Sequence, residues 1–148
     1  MRHCIILLAA FSILLPVSSS VFAEGADVEW DILNYEVKEL YRTGKYGRAV
    51  VVAKKALEVA EENVGPDHPD VAVSLNNLAL IYKTQGHYAQ AEPLYKRALE
   101  IKEQALGPDD PSVATSLENL AGLYRATNRD KEAEPLEERA ARIRGIKR

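Results

Sequence analysis

Apolar residues are distributed along this chain in two different ways. Residues 4–15, CIILLAAFSILL, form an almost unbroken apolar run. Farther on, apolar residues return at spacings of three and four, the period of a helix with one buried stripe. Val71, Leu75, Leu78, Ala79 and Tyr82 make one such stripe. Tyr88, Ala91, Leu94, Tyr95, Ala98, Leu99 and Ile101 make the next. Gly86 separates the two and is suited to the left-handed conformation that ends a helix. Gly107-Pro108 closes the second. Asp67 is placed to cap the first helix, with Pro69 in its first turn, and Asp109 and Pro111 repeat the arrangement. Pro93 and Pro135 fall inside helices, where a missing backbone donor predicts a slight bend.

The stripes recur. Residues 65–106 laid over 107–148 share 19 identities in 42 positions with no gap, which marks a duplication. GPDHPDVAVSLNNLALIY stands above GPDDPSVATSLENLAGLY, and AEPLYKRALEI stands above AEPLEERAARI. A weaker copy lies one period earlier, where Leu33, Gly44, Tyr46, Ala49, Ala56 and Leu57 match Leu75, Gly86, Tyr88, Ala91, Ala98 and Leu99. Each copy predicts a pair of helices. One pair leaves its apolar stripe uncovered, so pairs stack on one another.

Leu75-x2-Leu78-Ala79-x2-Tyr82 followed by Ala91-x3-Tyr95, and Leu117-x2-Leu120-Ala121-x2-Tyr124 followed by Ala133, resemble the tetratricopeptide repeat. The 42-residue period and the GPDHPDVAxSLNNLAxxY string are similar to its kinesin-light-chain type. The resemblance implies an all-α, right-handed α-solenoid of three helix-turn-helix repeats and six helices, at about 27–64, 65–106 and 107–148. It weakens at both ends: Glu36 stands for Leu78 and Ala53 for Tyr95 in the first repeat, and Asn128 for Gly86, Asp130 for Tyr88 and Glu137 for Tyr95 in the third. Polar replacements such as Glu137 and Glu138 suit the solvent-facing end of an array. The heptads that would join a motor chain are absent, so the repeat type carries over and motor function does not.

The first apolar run has another meaning. Arg2 precedes it, Pro16 and Ser18-Ser19-Ser20 break it, and Val21-Phe22-Ala23 offers a small-residue cleavage site. Residues 1–23 are therefore expected to be a secretory signal peptide, with 24–148 the repeat domain. A spanning anchor needs about 20 apolar residues, and this run ends sooner. Cys4 stands at the start of the run, where a lipoprotein would have it after. Cleavage leaves 125 residues with 18 basic and 22 acidic side chains and no cysteine, a chain indifferent to an oxidising compartment. The expected location is the periplasm of a bacterium or the extracellular space, with no stable membrane span after cleavage.

Composition narrows the chemistry. The hydrophobic share of 47 % and the single cysteine exclude a disordered chain and a disulfide scaffold. His68 and His87, the histidines left after cleavage, lie in turns without companions, which fits cap or turn positions rather than a metal site. No nucleophile elbow, phosphate loop or Cys/His pair is present, so no catalytic residue, cofactor or enzyme activity is expected. Glu100 and Glu103 with Lys96 and Lys102 read as helix-surface pairs. RAARIRGIKR at the end is basic, yet it follows an acidic helix start as the helix dipole favours and has no aromatics for base stacking, so nucleic-acid binding is not expected.

What remains is a surface. In tetratricopeptide arrays the first helix of each pair lines a concave groove. The resemblance carries this to Asp31, Asn34, Tyr35, Lys38 and Arg42 in the first repeat, and to Val73, Asn76, Asn77, Leu80 and Lys83 in the second. In the third it carries to Thr115, Glu118, Asn119, Gly122 and Arg125. Asn77 and Asn119 share one repeat position, where an amide either fixes an extended peptide or bonds within the array. Lys38, Arg42, Lys83 and Arg125 add positive charge. A clamp for a free carboxylate terminus needs a basic residue where Asp31, Val73 and Thr115 stand, so that clamp is not expected. The chain reads as a non-catalytic protein- or peptide-binding module. The alternative is a scaffold component that self-associates through its ends, where Trp30, Val37 and Leu40 lack a preceding repeat.

Overall fold

A computed structural model describes the backbone of residues 19–145 and the side-chain surroundings of residues 28–145. The described residues form six helices: α1 (Ser19–Arg42), α2 (Tyr46–Val64), α3 (Pro69–Thr84), α4 (Tyr88–Leu106), α5 (Pro111–Ala126) and α6 (Asp130–Ile143). Each odd helix packs on the even helix that follows it, and α2 and α4 pack in turn on α3 and α5. The odd helices also touch one another, α1 with α3 and α3 with α5. This is the stacked-pair solenoid expected from the repeat. No described helix is long and apolar enough to cross a membrane. The expected export signal lies mainly on residues 1–18, outside the described residues.

Small side chains set the spacing between helices. Ala49, Ala91 and Ala133, one per repeat, are fully buried in a core that runs through all three pairs. Leu40, Tyr82 and Tyr124 fill the matching large positions. The turn within each pair is the same three times over. The backbone N–H groups of Lys45, His87 and Arg129 donate to the carbonyls of Leu40, Tyr82 and Tyr124, which satisfies a carbonyl that the helix end leaves free. This closure needs a left-handed residue just before it. Gly86 supplies it at φ +78°, and Asn128, a residue that tolerates φ > 0, supplies it in the third repeat at φ +58°.

The caps fall one residue later than Asp67 and Asp109. His68 is the N-cap of α3, and its Nδ1 accepts the N–H of Asp70 at 3.2 Å. Asp110 is the N-cap of α5, and its carboxylate accepts the N–H of Ser112 at 2.8 Å. Proline at the first helical position forces this choice. It pushes the residue before it into extended backbone, which is the conformation of an N-cap. A cap role for His68 therefore stands, and His87 precedes α4 without a side-chain cap bond. Helices α4 and α6 run on through Pro93 and Pro135.

Two readings of charge also change. Lys102 is no surface residue: it is buried, its Nζ reaches the carbonyl of Ser112, and burial pushes its ammonium pKa down. Glu103 pairs across the stack with Arg139, and Lys96 pairs with Glu92 at 2.6 Å. Two arginines of the basic C-terminal segment are spent in the same way: Arg139 on Glu103, and Arg144 on Glu118 at 2.8 Å. At the other end, Val37 and Leu40 are buried and Trp30 is half-buried against the second repeat. These three residues are covered within the chain itself.

Candidate functional site

The odd helices bring the predicted face together, and internal bonds divide its members into two groups. Asn34 is buried; its amide donates to the Trp30 carbonyl, and its Oδ1 accepts Nδ2 of Asn77 at 3.0 Å. Asn76, one repeat on from Asn34, donates to Ser116 Oγ at 3.3 Å. Its own Oδ1 is buried with no partner. Asn119 stands one repeat on from Asn77, in the relation to Asn76 that Asn77 holds to Asn34. The first rung of this amide ladder is closed, and the second leaves an acceptor open.

The cations divide likewise. Arg42 is exposed and held by Glu39 of its own helix at 2.7 Å. The register puts Tyr41, not Arg42, level with Lys83 and Arg125. Tyr41 meets Thr84 instead, hydroxyl to hydroxyl at 3.0 Å. Arg125 is taken by Glu137 at 2.8 Å and Asp130 at 3.1 Å. Glu118 and Thr115 are both occupied by Arg144. Lys38 and Lys83 have no ion-pair partner among the described residues.

Lys83 is the more distinctive of the two. It is half-buried, and that burial lowers its pKa, so its ammonium is a cation with an unmet need for an anion. Its Nζ lies against Gly122 of α5, 2.9 Å from where a side-chain carbon on that glycine would stand. Gly122, at the position of Lys38 and Leu80, leaves the room that the ammonium occupies. A hollow of about 110 Å³ opens on the same face between α1 and α3. Val37, Leu80 and Ile81 give it apolar walls, and Lys38, Tyr41 and Asn77 give it a polar rim. Val73 is half-buried, Asp31 is exposed, and Tyr35 is strongly exposed at the outer edge of α1.

No three His, Cys, Asp or Glu side chains converge among the described residues. Of the two unpaired cations Lys38 lines the hollow, and Lys83 turns its ammonium to α5. Sequence reasoning missed the role of Gly122 as a space for Lys83. The signal was present in the repeat, where a leucine in one copy becomes a glycine in the next.

Comparison with known proteins agrees with this geometry. A family model for the tetratricopeptide repeat matches residues 39–104 and 85–145. Among solved structures, the nearly identical TPR-like repeats of a Podosopora anserina protein assigned as a kinesin light chain superpose with a TM-score of 0.70. Identity is 21 %, over 83 % of this chain and 56 % of that one, so this chain spans little more than half its length. BtubC (BKLC) from P. vanneervenii gives a TM-score of 0.53 at 22 % identity, over 81 % of this chain and 65 % of that one. The N-terminal domain of stress-induced protein-1 from C. elegans gives 0.60 at 18 % identity, over 82 % and 85 %. No curated protein matches the sequence. Such identities speak for the fold alone, while the family model covers most of the chain: it belongs to the tetratricopeptide repeat family, with a kinesin-light-chain-like repeat.

Proposed function

We propose that this protein is a non-catalytic binding module that docks an extended protein segment on the concave face formed by α1, α3 and α5. The observation that carries the reading is Lys83, a half-buried ammonium without an ion-pair partner among the described residues, turned to Gly122 of α5, while the hollow between α1 and α3 holds Lys38 at its rim. Holding a desolvated charge unpaired costs stability, and a bound carboxylate repays it. The segment it suits carries Asp or Glu next to an aliphatic side chain. Asn119, half-buried on α5, stands ready to bond its backbone. Selection of displayed random peptides on the full chain tests this. Enriched peptides pair an acidic with an aliphatic residue, and Lys83→Glu weakens them by about tenfold or more. Asn119→Ala weakens them less. Peptides without an acidic preference, or indifferent to Lys83→Glu, sink the proposal.

The proposal includes export. Arg2, the apolar run 4–15 and Val21-Phe22-Ala23 support a signal cut after Ala23, which delivers the array to the periplasm of a bacterium or to the extracellular space. Expression in a bacterial host with N-terminal sequencing of the exported form is expected to read Glu24-Gly25-Ala26. Protein that stays in the cytoplasm with Met1 in place counts against it.

A further inference from the structure

The repeats share an ungapped register, so each residue of α1 has counterparts 42 positions on in α3 and again in α5. On the side of α3 and α5 that meets the preceding repeat, three positions are polar: Asp70 and Ser112, Ser74 and Ser116, Asn77 and Asn119. Ser74 and Ser116 are only 1 % and 0 % exposed. Their hydroxyls accept Trp30 Nε1–H at 2.8 Å and Asn76 Nδ2–H at 3.3 Å from the repeat before. In α1 the same positions hold Val28, Ile32 and Tyr35, which are 56 %, 61 % and 68 % exposed. They lie four and three residues apart, on one stripe.

This reverses the usual order. The end of a repeat array turns a polar face to water. Here the inner junctions carry polar side chains at these positions, and the outer face is apolar. Ile32 has no hydroxyl to receive the donor that an inner-type helix would bring. The C-terminal end is different in kind: α6 presents Glu134 and Glu138 to solvent, and Arg144 is tied back to Glu118. Head-to-tail contact would set an apolar stripe against a charged end, whereas two N-terminal ends match.

Charge along the helix selects the orientation. Glu29 and Asp31 are exposed near the beginning of the stripe and Lys38 beyond its end, where Glu39 and Glu36 are paired with Arg42 and Arg48. Antiparallel pairing brings Glu29 and Asp31 of one helix towards the unpaired Lys38 of the other, with Ile32 at the centre. Parallel pairing stacks like charges. We infer that α1 is a self-recognition surface, through which two copies of this chain pair antiparallel on Val28, Ile32 and Tyr35 as a closed two-fold dimer. The symmetry is isologous, so the contact is satisfied by one pair and does not propagate.

The surface is small, so dimerisation is expected at about 10–100 µM. Sedimentation of the full chain, with whatever N-terminus the cell leaves on it, up to about 1 mM tests this. The expected result is a monomer–dimer equilibrium with no larger species. Ile32→Ser installs the residue of the inner repeats at an exposed site and weakens the dimer by about tenfold or more with an unchanged helical spectrum. Lys83→Ala, on the peptide face, leaves it unchanged. Independently, in a Cys4→Ser background, Ile32→Cys forms an interchain disulfide on mild oxidation, because a residue on the axis meets its own copy. Glu58→Cys, exposed on α2, does not. A monomer throughout the range, a mass that grows past the dimer, or a dimer indifferent to Ile32→Ser overturns the inference.

Discussion

Truncating Leu75 to alanine is expected to destabilise the array by about 2–5 kcal/mol. Leu75 is fully buried where Trp30 of α1, Ala60 of α2, Val71 and Ala72 of α3, and Ala98 and Ile101 of α4 converge. Four helices therefore line the void that truncation leaves, and stacked helices collapse poorly into a gap between them. The position also joins the first pair to the second. In a solenoid the stability of the whole depends on such junctions, and a weakened one lets a terminal pair come off by itself. Leu33 and Leu117 hold the same repeat position. Leu117 is fully buried among Val113, Ala114 and Ala140, so Leu117→Ala is expected to cost nearly as much. Leu33 is half-buried, and Leu33→Ala is expected to cost about 1 kcal/mol or less. Urea unfolding followed by helical dichroism and by fluorescence of Trp30, the single tryptophan, measures all three. Equal losses at Leu33 and Leu75 would mean that the first repeat is covered by something outside this packing.

The fold was legible because burial repeats. Each copy shows the same buried alanines, at Ala49, Ala91 and Ala133 and at Ala56, Ala98 and Ala140, and duplication lets one copy check another. Helix starts were also legible, though one residue off. Asp67 and His68, like Asp109 and Asp110, are all able to cap, and composition does not choose between them. The prolines that follow do choose, since the residue before proline is extended. Lys102 misled for a different reason. A lysine ordinarily stays in water, but its counterpart in the first repeat is the buried Ala60, and that register position was the available sign.

The candidate face was less legible, because its pairings run between helices. The bond from Asn77 to Asn34, and those from Arg125 to Glu137 and Asp130, join residues of different helices. Sequence names the participants and not the distances. Five basic residues near the C-terminus look like a tail, yet Arg139 and Arg144 are committed to Glu103 and Glu118. The apolar end of α1 was expected from Trp30, Val37 and Leu40. The exposed residues are Val28, Ile32 and Tyr35 instead, because α2 and α3 already cover the others.

Acid is expected to loosen the third repeat from the second through Glu92. Its carboxylate accepts Arg129 at 2.6 Å and the Tyr124 hydroxyl at 3.3 Å, and pairs with Lys96 at 2.6 Å. Arg129 lies in the turn before α6, 4.1 Å from the centre of the Tyr124 ring, and also pairs with Glu132 at 2.7 Å. One side chain of α4 thus holds the tip of the last helix pair. The guanidinium of Arg129, then the ammonium of Lys96, draw the Glu92 pKa down to about 2 from the usual 4.5. The folded state therefore binds this proton less readily than the unfolded chain does. Its contribution to stability is full above pH 4.5 and is lost as pH falls towards 2. Because the group is partly solvated, the contribution is about 1–3 kcal/mol rather than the full linkage value. Glu92→Gln keeps the shape and removes the charge, so the variant is expected to be less stable than the parent by that amount at pH 7. The gap narrows as pH falls below 4.5 and closes only below about pH 2, where the parent too becomes neutral at this site. Urea titrations of both proteins between pH 7 and pH 2.5 measure the difference. A gap that stays constant across the range would place the acid sensitivity elsewhere, with Glu118 on Arg144 the next carboxylate to remove.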